Sequence, residues 1–205
     1  MKATKALKKQ PKQGRSRQLV ESIVEGTTRL LENTPYAKAT TNRIAEIAGV
    51  GIGSLYEYFP SKESIVAHII DNRSSKITAD FRAIVEREDD SSTEERSREI
   101  VDYFAKNFFN HRPLLREIFM QAPETGRMES LYLGRREITH SLTNYLLKKN
   151  SKKTREEAHE VAFLLVNGVM GMIEAYVLCE LTTISPERMS VRLKEWMDFM
   201  LSEYR

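Results

Sequence analysis

The chain has 205 residues, 40% hydrophobic and 30% charged, enough for one or two domains with a core and heavily solvated faces. Nine glycines and six prolines are too few for the many turns of a sandwich or barrel of short strands, which leaves long helices. The single cysteine, Cys179, excludes an intrachain disulfide framework and a cysteine zinc site.

Charge is unevenly placed. Residues 1–64 carry 11 Lys/Arg against 6 Asp/Glu, whereas residues 65–205 carry 21 against 23. Seven of the cations (Lys2, Lys5, Lys8, Lys9, Lys12, Arg15, Arg17) fall within the first 20 residues, with no acid among them. Residues 1–14 show no apolar periodicity and include Pro11 and Gly14, so a disordered basic arm is expected there. Such an arm suits a polyanion, DNA or an anionic membrane surface, or else a solubilising tail. It lacks the apolar run of a secretory leader, and a cytoplasmic protein is expected.

From Ser16 to Asn33, Leu19, Val20, Ile23, Val24, Thr27, Leu30 and Leu31 recur at helical spacing. Gly26 within this stretch reads as a local imperfection rather than a close helix approach. Thr40 and Thr41 offer caps for a short helix over Asn42–Ala48, Gly49 supplies a turn, and a second short helix runs over Gly51–Phe59. Ser61 then caps a helix expected over 62–88, about 40 Å long. Further helices are expected at 93–110, 113–121, 127–149, 155–181 (opened by the capping box Thr154-x-x-Glu157) and from Ser185–Pro186 to Tyr204. The chain therefore reads as all-α with nine helices. Its parts are the arm (1–14), a three-helix helix-turn-helix domain (15–62, the motif over 40–59) and a helical domain (63–205).

Two short helices joined by a glycine turn form a motif whose second helix enters the DNA major groove. Leu55 and Phe59, four apart, should face the core with Ile44 and Ile47, which turns Ile52, Gly53 and Tyr56 outward. Gly51 and Gly53 permit close approach of backbone to bases or phosphates, or simply relieve crowding. Ser54 can bond a base or phosphate, Ile52 can pack on a thymine methyl and Tyr56 can reach a phosphate. Thr41 and Lys62 are placed to hold the DNA backbone, and Arg43 is a further DNA-binding candidate. Tyr58 reads as core.

The string TTNRIAEIAGVGIGSLYEYFPSKE, Thr40 to Glu63, closely resembles the DNA-binding signature of the tetracycline-repressor (TetR-like) family of bacterial regulators. The resemblance covers about residues 16–72 and is most specific in Leu-Tyr-x-Tyr-Phe-Pro-x-Lys-Glu after the turn. It implies a nine-helix, N-terminal helix-turn-helix architecture and a homodimeric repressor of a palindromic operator, released by a small molecule; a regulator that binds DNA without an effector, or an activator, is the alternative. Many members carry Ser-Lys where this chain has Gly51–Ile52, so a charged phosphate contact is missing and operator preference does not carry over.

The 155–181 helix is apolar nearly all round. Glu174, Glu180 and Asn167 argue against a membrane span. One face is expected on its own domain and another on a second copy, through Leu164, Gly168, Gly171, Met172 and Ala175, joined by Trp196 and Met200 of the last helix. A dimer sets two recognition helices about 34 Å apart, or a multiple, on double-stranded DNA. Aromatic and methionine residues, chiefly Phe104, Phe108, Phe119, Met128, Tyr132, Tyr145 and Met170, are candidates to line a pocket for a small apolar or amphipathic effector, two or three of them as true lining.

Enzymatic readings fare poorly. Glu137-x-x-His140 and Glu156-x-x-His159 have di-iron spacing, but the hairpin between them offsets the two histidines by roughly 6 Å. Cys179, in the most apolar helix with no basic neighbour, reads as inert core. No metal, cofactor or catalytic residue is expected.

Overall fold

The computed structural model describes residues 4–179 and 183–204. Among them are nine α-helices and no strand: α1 (Gly14–Asn33), α2 (Thr41–Ala48), α3 (Ile52–Tyr58), α4 (Lys62–Glu86), α5 (Thr93–Asn107), α6 (Arg112–Glu124), α7 (Met128–Lys149), α8 (Arg155–Leu178) and α9 (Pro186–Met200). The Thr40, Thr154 and Ser185 hydroxyls each accept a first-turn N–H at ends expected from the sequence, and Thr154–Glu157 forms a reciprocal box. Ser92, not expected from the sequence, caps α5 in the same way and forms a box with Glu95. α5 stops at Asn107, short of the expected 110, because Phe108 leaves helical geometry and a 3-10 turn follows at Phe109–His111. α8 ends at Leu178 with Cys179 as its C-cap, and part of the stretch expected to be helical to 181 lies outside the described residues.

The chain divides into two compact units. The first takes the described residues up to Arg73 and adds His111–Ser130, so it is larger than the 15–62 domain drawn from sequence and takes in α6. Its core forms where the stripe of α1 (Val20, Ile23, Leu30, Leu31) meets Ile44, Leu55 and Phe59 and the buried face of α6 (Leu114, Leu115, Ile118). Each fully buried side chain of this size contributes about 1.5–3 kcal/mol. Gly49 closes α2 at φ 67°, a left-handed conformation that glycine adopts without a Cβ penalty.

Two expectations are corrected in this unit. Gly26 is a close approach after all: a Cβ there would lie 2.9 Å from the Ala48 Cβ and 3.0 Å from the Ala48 backbone nitrogen. The arm is not disordered over its described part. The Thr4 N–H donates to the Thr125 carbonyl at 3.1 Å, the Arg127 guanidinium donates to the Thr4 carbonyl at 2.8 Å, and the Lys8 N–H donates to the Tyr58 carbonyl at 2.8 Å. The last carbonyls of a helix lack internal partners, and here the arm supplies them.

The second unit comprises Ser74–Asn110 and the described part of 131–205. Phe81, Ile100, Phe104, Leu142, Leu146, Leu165, Ile173 and Leu193 form its core. α5 and α8 both pack on α9, and Gly168 of α8 makes room for the Trp196 ring, which a Cβ would meet at 2.5 Å. The Thr93 hydroxyl donates to the Tyr204 carbonyl at 2.7 Å and ties down the last 3-10 turn, Ser202–Tyr204. Cys179 is exposed, contrary to the core position expected, because α8 ends just before it.

Candidate nucleic-acid interface

Packing decides which face of α3 is available. Leu55 and Phe59 are wholly buried and Tyr58 nearly so. That rotation leaves Gly51, Ile52, Gly53 and Tyr56 exposed and Ser54 half-buried. A Cβ on Gly53 would meet nothing within 4 Å, so neither crowding nor backbone strain requires glycine there. The Tyr56 hydroxyl lies 2.9 Å from the Thr41 hydroxyl, a hydrogen bond that joins the start of α2 to the outer face of α3. Arg43 is exposed and pairs with Glu46 at 2.7 Å.

Lys62 differs from expectation. Its ammonium donates to the Tyr36 and Ala39 carbonyls at 2.8 and 2.9 Å and lies 3.9 Å from the centre of the Tyr36 ring. It thus fastens the α1–α2 connection to the start of α4, and its charge is directed at protein carbonyls instead of outward. The Tyr36 hydroxyl donates in turn to Glu63 at 2.7 Å, and burial together with that bond raises the phenol well above its ordinary range.

The arm adds residues to this surface that helix periodicity did not assign. The Lys8 ammonium donates to the Tyr56 carbonyl at 3.0 Å, and the Lys9 ammonium pairs with Glu57 and lies 4.8 Å from the Tyr58 ring centre. The hydrogen bond to Glu57 raises the Lys9 pKa. Lys5, Lys12, Arg15 and Arg17 are exposed. Seven cations with no acid made the segment a candidate to meet a polyanion, an anionic membrane or solvent alone; its seat beside α3 depends on tertiary contacts and carries no local signal.

A helix-turn-helix with this exposed face matches a known family model. Residues 23–69 fit the model described as bacterial regulatory proteins, tetR family. Over this segment the chain is similar to the TetR family. Over 95 residues it is 27% identical to the HTH-type transcriptional regulator EthR of Mycobacterium tuberculosis, a match spanning 46% of this chain and 44% of that protein. Over 70 residues it is 30% identical to the nucleoid occlusion factor SlmA of Marinobacter nauticus, spanning 34% and 36%. The matches thus cover less than half the length of these curated relatives. Solved TetR-family structures share the fold along most of the chain. A Mesorhizobium loti protein described as a TetR-family transcriptional regulator superposes with a TM-score of 0.74 at 15% identity, covering 94% of this chain and 99% of that one. The fatty acid degradation regulator FadR of Bacillus halodurans gives 0.66 at 15%, covering 96% and 99%.

The remaining candidate site residues lie in both units. Of the seven candidates for an effector pocket, Phe104, Tyr145 and Met170 line one apolar cavity of the second unit. Phe108 is buried outside that lining, Tyr132 is exposed, and Phe119 and Met128 belong to the first unit. Of the dimer candidates, Leu164, Gly171 and Ala175 are exposed, and Met172, Trp196 and Met200 are half-buried. Gly168 is occupied by its own chain's Trp196, so its missing side chain serves intrachain packing. No group of three His, Cys, Asp or Glu among the described residues could hold a metal.

Proposed function

We propose that the protein is a sequence-specific, double-stranded-DNA-binding transcriptional repressor. It acts as a homodimer on a palindromic operator and is released when a small molecule binds the second unit. The observation that carries this reading is the outward face of α3, with Gly51, Ile52, Gly53 and Tyr56 exposed while Leu55 and Phe59 anchor the helix from behind. Glycines let the helix backbone approach bases, Ile52 offers an apolar surface to a thymine methyl, and Thr41, Arg43 and Tyr56 supply polar contacts to phosphates. The division 15–62 for DNA binding and 63–205 for effector and dimer roles is the working assignment, with α6 sharing the DNA-binding unit's core.

Dimerisation accounts for a second feature. α8 is long and apolar enough to cross a bilayer, and 39% of its most apolar window is buried. Phe163 and Leu164 of α8 and Val191 and Phe199 of α9 stand exposed, Phe199 by 75%. The same two helices of a second copy would cover them under a two-fold axis. Selection of bound genomic fragments followed by titration of the winning duplex tests the reading. A palindromic site, a steep fall of affinity with salt and a complex of two protomers per duplex are expected. Equal affinity for scrambled duplex would overturn it.

A further inference from the structure

The second unit holds a partly open apolar cavity with about 30 Å³ of free space, walled by side chains such as Phe81, Ile100, Leu142, Val169 and Met197. Two of its wall residues are polar, nearly sealed from solvent and incompletely bonded. Arg96 is 2% exposed and Tyr145 8%. The Arg96 Nη2 group bonds Asp89 and the Arg87 carbonyl, whereas its Nε and Nη1 have no hydrogen-bond partner, and neither has the Tyr145 hydroxyl. The other hydroxyls of the wall are engaged: Thr93 donates to the Tyr204 carbonyl, and the single Ser97 proton is shared between the Glu94 carbonyl and Asp198. A buried polar group without a partner costs about 1–3 kcal/mol, so these atoms call for something that accepts hydrogen bonds.

Charge decides what that is. Arg96 is already faced by Asp89 and, from its Nη1 at 3.7 Å, an ion-pair contact too long for a hydrogen bond, by Glu99, which also pairs with Arg87 at 2.8 Å. Ser91 and Arg87 hold Asp89 far below the usual carboxylate range, and Arg87 lowers Glu99, so both acids stay ionised. Two cations and two anions therefore balance, and a third carboxylate would enter beside two others. We infer that the effector of this chain is a neutral, mainly apolar compound carrying a carbonyl oxygen, a ketone, ester or lactone, that accepts hydrogen bonds from Arg96 and Tyr145. This rests on the proposed effector-released regulator and names the class of its ligand. Met170 and Met197 can shift to enlarge so small a space around an apolar body. Arg96 and Tyr145 also wall a separate, wider cleft of about 420 Å³ with Glu86, Lys148 and Lys149.

Calorimetry on the full chain without DNA, with 2-heptanone, heptanoate and heptylamine as probes, tests the assignment. The ketone is expected to bind at least about tenfold more tightly than either charged analogue. Tyr145→Phe should weaken the ketone about five- to tenfold while leaving the melting temperature unchanged or higher, since the hydroxyl it removes has no partner. No ketone binding, preference for heptanoate, or an unaffected Tyr145→Phe variant would overturn the inference. Anisotropy of a labelled operator reads release separately. Ketone binding without release supports the ligand class and refutes effector-driven release, whereas release by heptanoate without ketone binding refutes the ligand class alone.

Discussion

The hydroxyls of Thr41 and Tyr56 lie 2.9 Å apart and join the two helices of the helix-turn-helix across their exposed side. In the proposed DNA complex each would contact a phosphate while orienting the other. Tyr56→Phe removes the shared bond and one phosphate donor, a loss of about 0.5–1.5 kcal/mol. Binding to operator and to random duplex should weaken by similar factors, because phosphate contacts carry no sequence information. Parallel titrations of both duplexes check this, and a selective loss on the operator would assign Tyr56 to base reading instead.

Two glycines should respond oppositely to the same change. At Gly53 an added Cβ meets nothing, so Gly53→Ala should keep or slightly raise the melting temperature, by up to about 1 kcal/mol of helix propensity. It should nevertheless lower operator affinity if bases approach the backbone there. At Gly26 the added carbon meets backbone atoms of Ala48, and overpacking of that kind costs about 1–3 kcal/mol. Gly26→Ala should therefore lower the melting temperature despite its better propensity. Thermal unfolding of the two variants side by side measures both signs.

Removal of residues 1–9 deletes the strap formed by Thr4, Lys8 and Lys9 and exposes the carbonyls of Tyr56 and Tyr58 at the end of α3. The truncated chain should bind DNA with a shallower salt dependence, the slope falling by about 0.9 for each phosphate left without its cation. It should also unfold at lower temperature. An unchanged slope of log affinity against log salt would show that these cations do not reach the duplex.

Leu164→Glu and Phe199→Glu place carboxylates on the exposed apolar face of α8 and α9. Neither side chain contributes to the chain's own buried core, so the fold should persist. Sedimentation equilibrium should show monomers and operator affinity should fall at least about tenfold, since a single recognition helix then reads one half-site. A dimer of undiminished stability would place the interface elsewhere.

What the sequence disclosed followed physical range. Helix periodicity, caps and the Gly49 turn act over a few residues, and the inward set Leu55, Tyr58 and Phe59 with the outward set Ile52, Gly53 and Tyr56 emerged from spacing alone. Contacts between distant segments were hidden. Nothing near Gly26 signalled that Ala48 would lie against it, and nothing near Lys62 signalled two carbonyls 23 and 26 residues upstream waiting for its ammonium. The arm was legible as charge but not as a seated strand of backbone bonds. Among the pocket candidates, Phe104, Tyr145 and Met170 share a wall because three helices converge there. Arg96 escaped notice because a charged residue in an acidic stretch is usually solvated.

The Trp196 ring seated on Gly168 has a practical corollary. It is the chain's sole tryptophan, and its neighbours in sequence and across the seam, Met197 and Val169, belong to the cavity wall. Ultraviolet emission from the unlabelled protein is therefore a native optical gauge of how α8 and α9 fit together, and its colour and intensity should register a guest molecule before any engineered dye is needed.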